Sequence, residues 1–293
     1  MSETRFSRFH PALLFAFLLG AIGFSVMIRH PAYLVAGAVS ALCLCWSVNG
    51  RKLWKTLLLL LPVFVVLSVI NPLFNIMGEH PLFFTWWGSP YTAEALLYGV
   101  CLAGMVVTMM LWFSCYNALM TEEKFTYLFG NLIPSLALLL TMVFRLIPNL
   151  FRKTRQIAQA RKGIGKGAQE GNGLRGRAED GMTVLSALTS WALEGSVVTA
   201  DSMNSRGYGV GKRTSFQRYR WSTEDIVTAV VLAVLFALTV IGLLRGSGQA
   251  DFVPTLRIAP PDWGVAAYFL FLMTPTFLNW KEKLTWNILR SRI

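Results

Sequence analysis

The sequence predicts an all-α integral membrane protein with about six transmembrane helices and a cytoplasmic insert of amphipathic helices. Three observations carry this reading. Of 293 residues, 54% are hydrophobic and 14% are charged, against about 25% charged in ordinary soluble domains. Six long stretches contain no Asp, Glu, Lys or Arg. The basic residues also divide unevenly. With the N-terminus in the cytoplasm, 24 of the 27 Lys and Arg fall on the inner side, and only Arg29, Arg245 and Arg257 fall outside. Because positive charge is retained inside, both termini are expected in the cytoplasm, with the chain threading the cell inner (plasma) membrane several times.

The apolar stretches are Pro11 to Ile28, Ala32 to Val48, Thr56 to Met77, Ala95 to Met120, Ile226 to Leu244 and Trp263 to Trp280. The first follows a basic leader, as a signal peptide does, but Met27-Ile28-Arg29-His30 offers no small-residue cleavage site, so it reads as a retained span. Cys43, Cys45, Cys101 and Cys115 all lie in apolar segments and read as small core residues, which excludes a disulfide scaffold. His10, His30 and His80 lack ligand spacing, so no metal site is expected. The loop from Asn71 to Thr92 has no Lys or Arg, and its Phe83-Phe84-Thr85-Trp86-Trp87 run reads as an outer interfacial belt. Spans without ionisable residues argue against a proton or ion pathway through this chain.

The chain therefore divides into an N-terminal membrane domain of four spans (1–121), a cytoplasmic insert (122–224) and a C-terminal membrane domain of two spans (225–293). Within the insert, Ile133 to Leu150 is apolar enough to compete as a further span. It carries Arg145 and Pro148, however, and crossing would invert the basic region, so it reads as a helix at or just under the cytoplasmic surface. Beyond Pro148, Phe144, Ile147 and Phe151 share one face, while Arg145, Arg152 and Gln159 recur on another, which predicts an amphipathic basic helix ending at Lys162-Gly163. The seven glycines from Gly163 to Gly181 predict a flexible connector. A second helix is expected from about Met182 to Arg206, with Leu185, Leu188 and Ala192 on one side and Ser190, Glu194, Val197 and Asp201 on another.

The two helices finish alike, in Ala160-Arg161-Lys162-Gly163 and Ser205-Arg206-Gly207. Read singly, each is a helix end, with glycine past the last turn and a cation complementing the dipole. Read as a pair, each also offers a partner a small residue that permits close backbone approach and an arginine with five fixed donors.

At these residues the chain resembles a known family. The run Ala200-Asp201-Ser202-Met203-Asn204-Ser205-Arg206-Gly207-Tyr208-Gly209, followed by Gly211-Lys212-Arg213-Thr214, is similar to the second signature of the transmembrane T component (EcfT/CbiQ-like family) of energy-coupling factor (ECF) ABC transporters. Phe144-Arg145-Leu146-Ile147-Pro148 and Ala160-Arg161-Lys162-Gly163 look like the same family's upstream stretch and first signature. Lys162 stands where the first motif usually has glycine, and Ser205 replaces the commoner alanine of the second. The resemblance implies a non-catalytic scaffold whose two coupling helices sit in grooves of a pair of cytosolic ABC-type ATPases. ATP-driven motion would pass through it to a separate small membrane subunit that binds a vitamin or transition-metal ion. Arg161 and Arg206, with Ala160, Lys162, Gly163, Ser205 and Gly207, would make the ATPase contacts, supported by Arg145, Pro148, Asp201, Met203 and Tyr208. ATP and Mg are expected on the partner ATPases, and no cofactor on this chain.

The residues themselves agree that nucleotide is not bound here: no G-x-x-x-x-G-K-[ST] loop occurs, and Gly209-Val210-Gly211-Lys212-Arg213 lacks both spacing and hydroxyl. Nor is there a serine nucleophile elbow, an H-E-x-x-H pair or a carboxylate pair placed for acid–base work. Arg152, Lys153 and Arg155, and later Lys212, Arg213, Arg218 and Arg220, border membrane spans and are expected on anionic lipid rather than nucleic acid. Two other classes remain open at this stage. A stand-alone secondary carrier would need broken helices near the midplane, for which Pro62 and Pro275 are the proline candidates. A membrane enzyme would need an active site in the insert.

Overall fold

The computed structural model describes residues 5–74, 81–84, 90–130, 134–165, 173–211, 219–251, 257–258, 260 and 262–290. Two compact units form, one from Met1–Lys124 with Tyr219–Ile293 and one from Phe125–Arg218.

The first unit starts with a 3₁₀ turn, Arg5–Arg8, followed by α1 (Pro11–Met27) and α2 (Pro31–Asn49). The two helices open in the same way. His10 and His30 are N-caps whose Nδ1 atoms accept the backbone N–H of Ala12 and Ala32, each at 3.2 Å, and each cap is followed by proline at the first helical position. Proline is tolerated there because its missing N–H would have no partner inside the helix. Of the three histidines that had no ligand spacing in the sequence, His10 and His30 are thus helix starts, and His80 lies outside the described residues.

Next come α3 (Lys52–Phe74), the strands β1 (Pro81–Phe84) and β2 (Pro90–Thr92), α4 (Ala93–Leu119) and α5 (Glu122–Gly130). The strands form an antiparallel ribbon in part of the loop read as an aromatic belt. Thr85, Trp86 and Trp87 of that belt lie outside the described residues. Pro62 and Pro72 sit inside α3 without ending it. Among the supporting contacts of this bundle, α3 and α4 approach closely at Gly99, where a Cβ would lie 2.9 Å from the Ser68 carbonyl oxygen and 3.2 Å from Pro72 Cδ. Only a residue without a side chain fits this crossing.

After α6 (Pro134–Gly163) and α7 (Leu174–Ser205) of the second unit, α8 (Thr223–Leu244), the ribbon β3 (Ala250–Asp251) with β4 (Arg257–Ile258), and α9 (Trp263–Arg290) complete the first. A capping box starts α8: Ser222 Oγ accepts from Asp225 N at 3.2 Å, and Asp225 Oδ2 accepts from Ser222 N at 3.0 Å, satisfying two otherwise orphaned donors. α8 and α9 meet glycine on glycine, since a Cβ on Gly242 would lie 2.9 Å from Gly264 Cα. Pro275 is accommodated within α9, so neither proline considered as a midplane break interrupts its helix.

The core of this unit is aromatic. Phe17 contacts Trp112 and Phe271 at ring-centroid separations of 5.8 and 5.3 Å, and Phe24 contacts Phe236 at 4.9 Å. Leu14, Leu18, Leu44, Trp112 and Leu272 are fully enclosed. Outward faces are equally apolar: Leu58, Leu59 and Leu61 on α3 and Val227 and Val230 on α8 are all exposed. In water this exposure would be a severe liability, whereas in hydrocarbon it is solvation.

Among the described residues, α2, α3, α4, α8 and the 135–163 part of α6 are long and apolar enough to cross a membrane, and α1 is a shorter apolar helix of 17 residues. Two helices extend further than the sequence stretches that predicted them. α9 contains the expected stretch Trp263 to Trp280 and continues past it through Lys281 to Arg290. The stretch expected as a surface helix, described from Pro134 on, is the first half of one helix, α6, that runs through Pro148 to Gly163.

Candidate functional site

The second unit contains the residues that carried the resemblance. α6 and α7 pack antiparallel: Arg161 near the end of α6 meets Asp180 near the start of α7, and Lys153, earlier in α6, lies 5.6 Å from the centre of the Trp191 ring, later in α7.

α7 begins at Leu174, not at Met182 as the sequence suggested. Gly176 and Gly181 are helical despite costing about 1 kcal/mol each relative to alanine. Two charged contacts lie along this stretch: Arg175 pairs with Glu179 one turn on at 3.6 Å, both side chains exposed, and Asp180 is bound by Arg161. Much of the expected connector is therefore helix, while 166–172 lie outside the described residues.

The two arginine motifs differ structurally. Arg161 is inside α6 and half-buried, and its Nη2 donates to Asp180 Oδ1 at 2.7 Å, with both side chains 20% exposed. Arg161 Nε and Asp180 Oδ2 are also buried, without hydrogen-bond partners. Ala160, Lys162 and Gly163 are exposed. Gly163 is itself helical, and the left-handed residue that ends α6 is Gly165, at φ +73°.

Arg206, by contrast, is the C-cap of α7. Its backbone N–H bonds back to the Ser202 and Met203 carbonyls, each at 3.2 Å, and its side chain is exposed, without a partner among the described residues. Gly207 follows at φ +76°, the left-handed geometry that L side chains avoid. Its N–H reaches the Asn204 carbonyl at 3.0 Å, and Tyr208 N–H reaches that of Met203 at 3.1 Å. Met203 thus supports the tip through its backbone. Asp201 does likewise, its carbonyl accepting from Ser205 Oγ at 2.9 Å. Tyr208 is 47% exposed beside the tip, and Val210 is 88% exposed. Arg145 and Pro148 lie on α6, exposed and well before Arg161.

The sequence reading missed Asp180, Lys153 with Trp191, and the early start of α7. The signal for Asp180 was present in Glu179-Asp180, an acidic pair set in a basic, glycine-rich stretch. Of the later basic cluster, Lys212, Arg213 and Arg218 lie outside the described residues. No three His, Cys, Asp or Glu side chains converge among the described residues.

These helices lie within a stretch that matches a known family. Residues 4–216 of the 293 match CbiQ, described as a cobalt transport protein. The chain is also similar to the energy-coupling factor transporter transmembrane protein EcfT of Lactobacillus helveticus (strain DPC 4571), with 26% identity over 206 residues that cover 67% of this chain and 73% of the relative. With five helices among the described residues able to cross a bilayer, the molecule is a multi-pass, all-α membrane protein. It belongs to the CbiQ family of cobalt transport proteins, as an EcfT/CbiQ-like transmembrane component.

Proposed function

We propose that this chain is the coupling subunit of an ECF-type importer: it docks cytosolic ABC-type ATPases through the insert and passes their ATP-driven motion to a separate substrate-binding membrane subunit. The observation that carries this reading is the separation of the two motifs. Arg161 lies level with Asp180, and Arg206 is 26 residues further along α7, about 39 Å at 1.5 Å per residue. Two tips that far apart suit two ATPase subunits, one for each, better than a single socket.

The contacts proposed are mechanical. Arg206, exposed on a tip fixed by Gly207, offers its guanidinium to carboxylates or carbonyls of one ATPase, with Ser205 and Gly207 permitting close approach. Ala160, Lys162 and Gly163 form the exposed surface at the other motif, and Arg161 contributes there by holding α6 against α7. Arg145 and Pro148, on α6, support these ATPase contacts. ATP and Mg are bound by the ATPases, this chain performs no catalysis, and the cargo class is a vitamin or transition-metal ion selected by the other membrane subunit. The basic insert and both termini face the cytoplasm across the inner membrane.

The test is a tagged pull-down from native membranes in mild detergent, with mass spectrometry, comparing wild type with Arg161→Ala/Arg206→Ala. ABC-type ATPases and a small membrane protein should accompany the wild type, and the ATPases should be depleted from the variant. A wild type that comes down alone, under conditions that preserve known complexes, removes the reading.

A further inference from the structure

One segment of the membrane unit has contacts that neither the family resemblance nor the motif residues account for. Residues 5–10, ahead of α1, touch the chain on both sides of the insert. On the outgoing side is Lys124, in the first turn of α5, a helix that begins in the first unit and runs on into the second. Lys124 is 8% exposed, unusually buried for a lysine. Its Nζ donates to the Ser7 carbonyl at 2.5 Å and to the Leu119 carbonyl at 3.1 Å.

On the returning side, the His10 ring stacks on Trp221 at 4.2 Å and 16°, with Tyr219 edge-on to it at 6.4 Å. Arg5 Nη2 donates to Glu224 Oε2 at 2.6 Å. The same short segment is fixed from beneath. Phe6 is fully buried, packs edge-to-face on Phe17 of α1 at 5.5 Å, and its N–H donates to Asn279 Oδ1 of α9 at 3.0 Å.

We propose that residues 5–10 are a strap that anchors both ends of the insert to the membrane helices, and that Lys124, Arg5 and His10 are positioning residues for coupled transport. The inference rests on the coupling function proposed above. Its physical basis is stiffness. A chain segment transmits displacement only if its ends are held, and here six consecutive residues hold the outgoing end through a charged donor on two carbonyls and the returning end through a ring stack and an ion pair. The segment is itself bonded to α1 and α9. Displacement of the insert at either end therefore loads α1, α8 and α9 together rather than fraying one turn of α5 or α8.

The experiment reconstitutes the full complex, with ATPases and substrate subunit, in proteoliposomes and measures ATP hydrolysis and substrate uptake side by side. The variants are Lys124→Met, which keeps length and loses both hydrogen bonds, and Arg5→Gln/Lys124→Met. ATPase co-purification and hydrolysis should stay near wild type, while uptake per ATP falls by at least about tenfold, since even one of the two lost charged-donor hydrogen bonds corresponds to that factor. Lys124→Arg, which restores charged donors, should recover most of the ratio. If Lys124→Met fails to assemble, Arg5→Gln/His10→Asn is used in its place, with the same expectation.

Unchanged uptake per ATP in an assembled variant overturns the strap, as does loss of hydrolysis and uptake in equal proportion. A wild type that binds no ATPase overturns the coupling function first, and the strap with it.

Discussion

Arg161 and Asp180 join the end of α6 to the start of α7 by a 2.7 Å ion pair that leaves one polar atom on each partner buried and unbonded. A pair of this kind is poorly compensated: much of the desolvation cost is incurred although each side chain stays 20% exposed, and the fork of the guanidinium is used at one nitrogen only. It is strongly coupled all the same, because removing either partner strands the other.

Asp180→Asn is therefore expected to weaken the α6–α7 contact by about 1–3 kcal/mol, read as faster amide hydrogen exchange in both helices of the full-length protein. Arg161→Met/Asp180→Leu should recover much of that loss, since an apolar pair needs no buried bonds. Equal exchange in wild type and Asp180→Asn would show the pair to be incidental.

Arg206 should behave in the opposite way. Its exposed side chain has no partner among the described residues, so Arg206→Ala should change the stability of the insert by less than about 0.5 kcal/mol. On the proposed function the same change weakens ATPase docking by about 2 kcal/mol, a loss measurable by titrating ATPase onto the detergent-solubilised chain. Wild-type affinity in that titration removes the role given to this residue.

Much of this was legible from the chain alone, and the failures share a cause. Apolar runs, charge asymmetry and both arginine motifs are local patterns, so the spans and the insert could be read directly. The start of α7 could not be, because Gly176 and Gly181 argue against helix and the opposing contact, Arg161 with Asp180, spans 19 residues. His10 and His30 were passed over because a search for ligand spacing does not test for His-Pro at a helix start.

The Gly242–Gly264 crossing gives a stability prediction. Gly242→Val would place a Cβ 2.9 Å from the Gly264 Cα, and both partners there are backbone, so neither can rotate away. Separation of α8 from α9 should cost about 1–3 kcal/mol, visible as a lower melting temperature in detergent. An unchanged transition would mean that the two helices separate without penalty.

His10 gives a pH dependence. Burial pushes its imidazole below the usual 6.5, and Asp225 opposes this only in part; Nδ1 must also remain unprotonated to accept from Ala12 N–H. The folded state thus prefers the neutral ring. Its contribution is complete above about pH 6.5 and declines as pH falls from there through the lower folded value. Melting should drop more for wild type than for His10→Asn between about pH 7.5 and about pH 5, asparagine keeping the cap acceptor without the titration. Parallel losses in the two proteins would exclude His10 as the source.

One consequence follows from α6 running unbroken from Pro134 to Gly163. Thirty residues make a rod about 45 Å long, apolar at one end and basic at the other. Pro148, near its middle, removes one rung of the hydrogen-bond ladder and makes that turn the natural place to bend. A bend of only about 10° at Pro148 sweeps the far tip, about 22 Å beyond it, through about 4 Å. A small angular change at that turn is thus amplified into a displacement of several ångströms at the basic tip, in proportion to the length of helix beyond it.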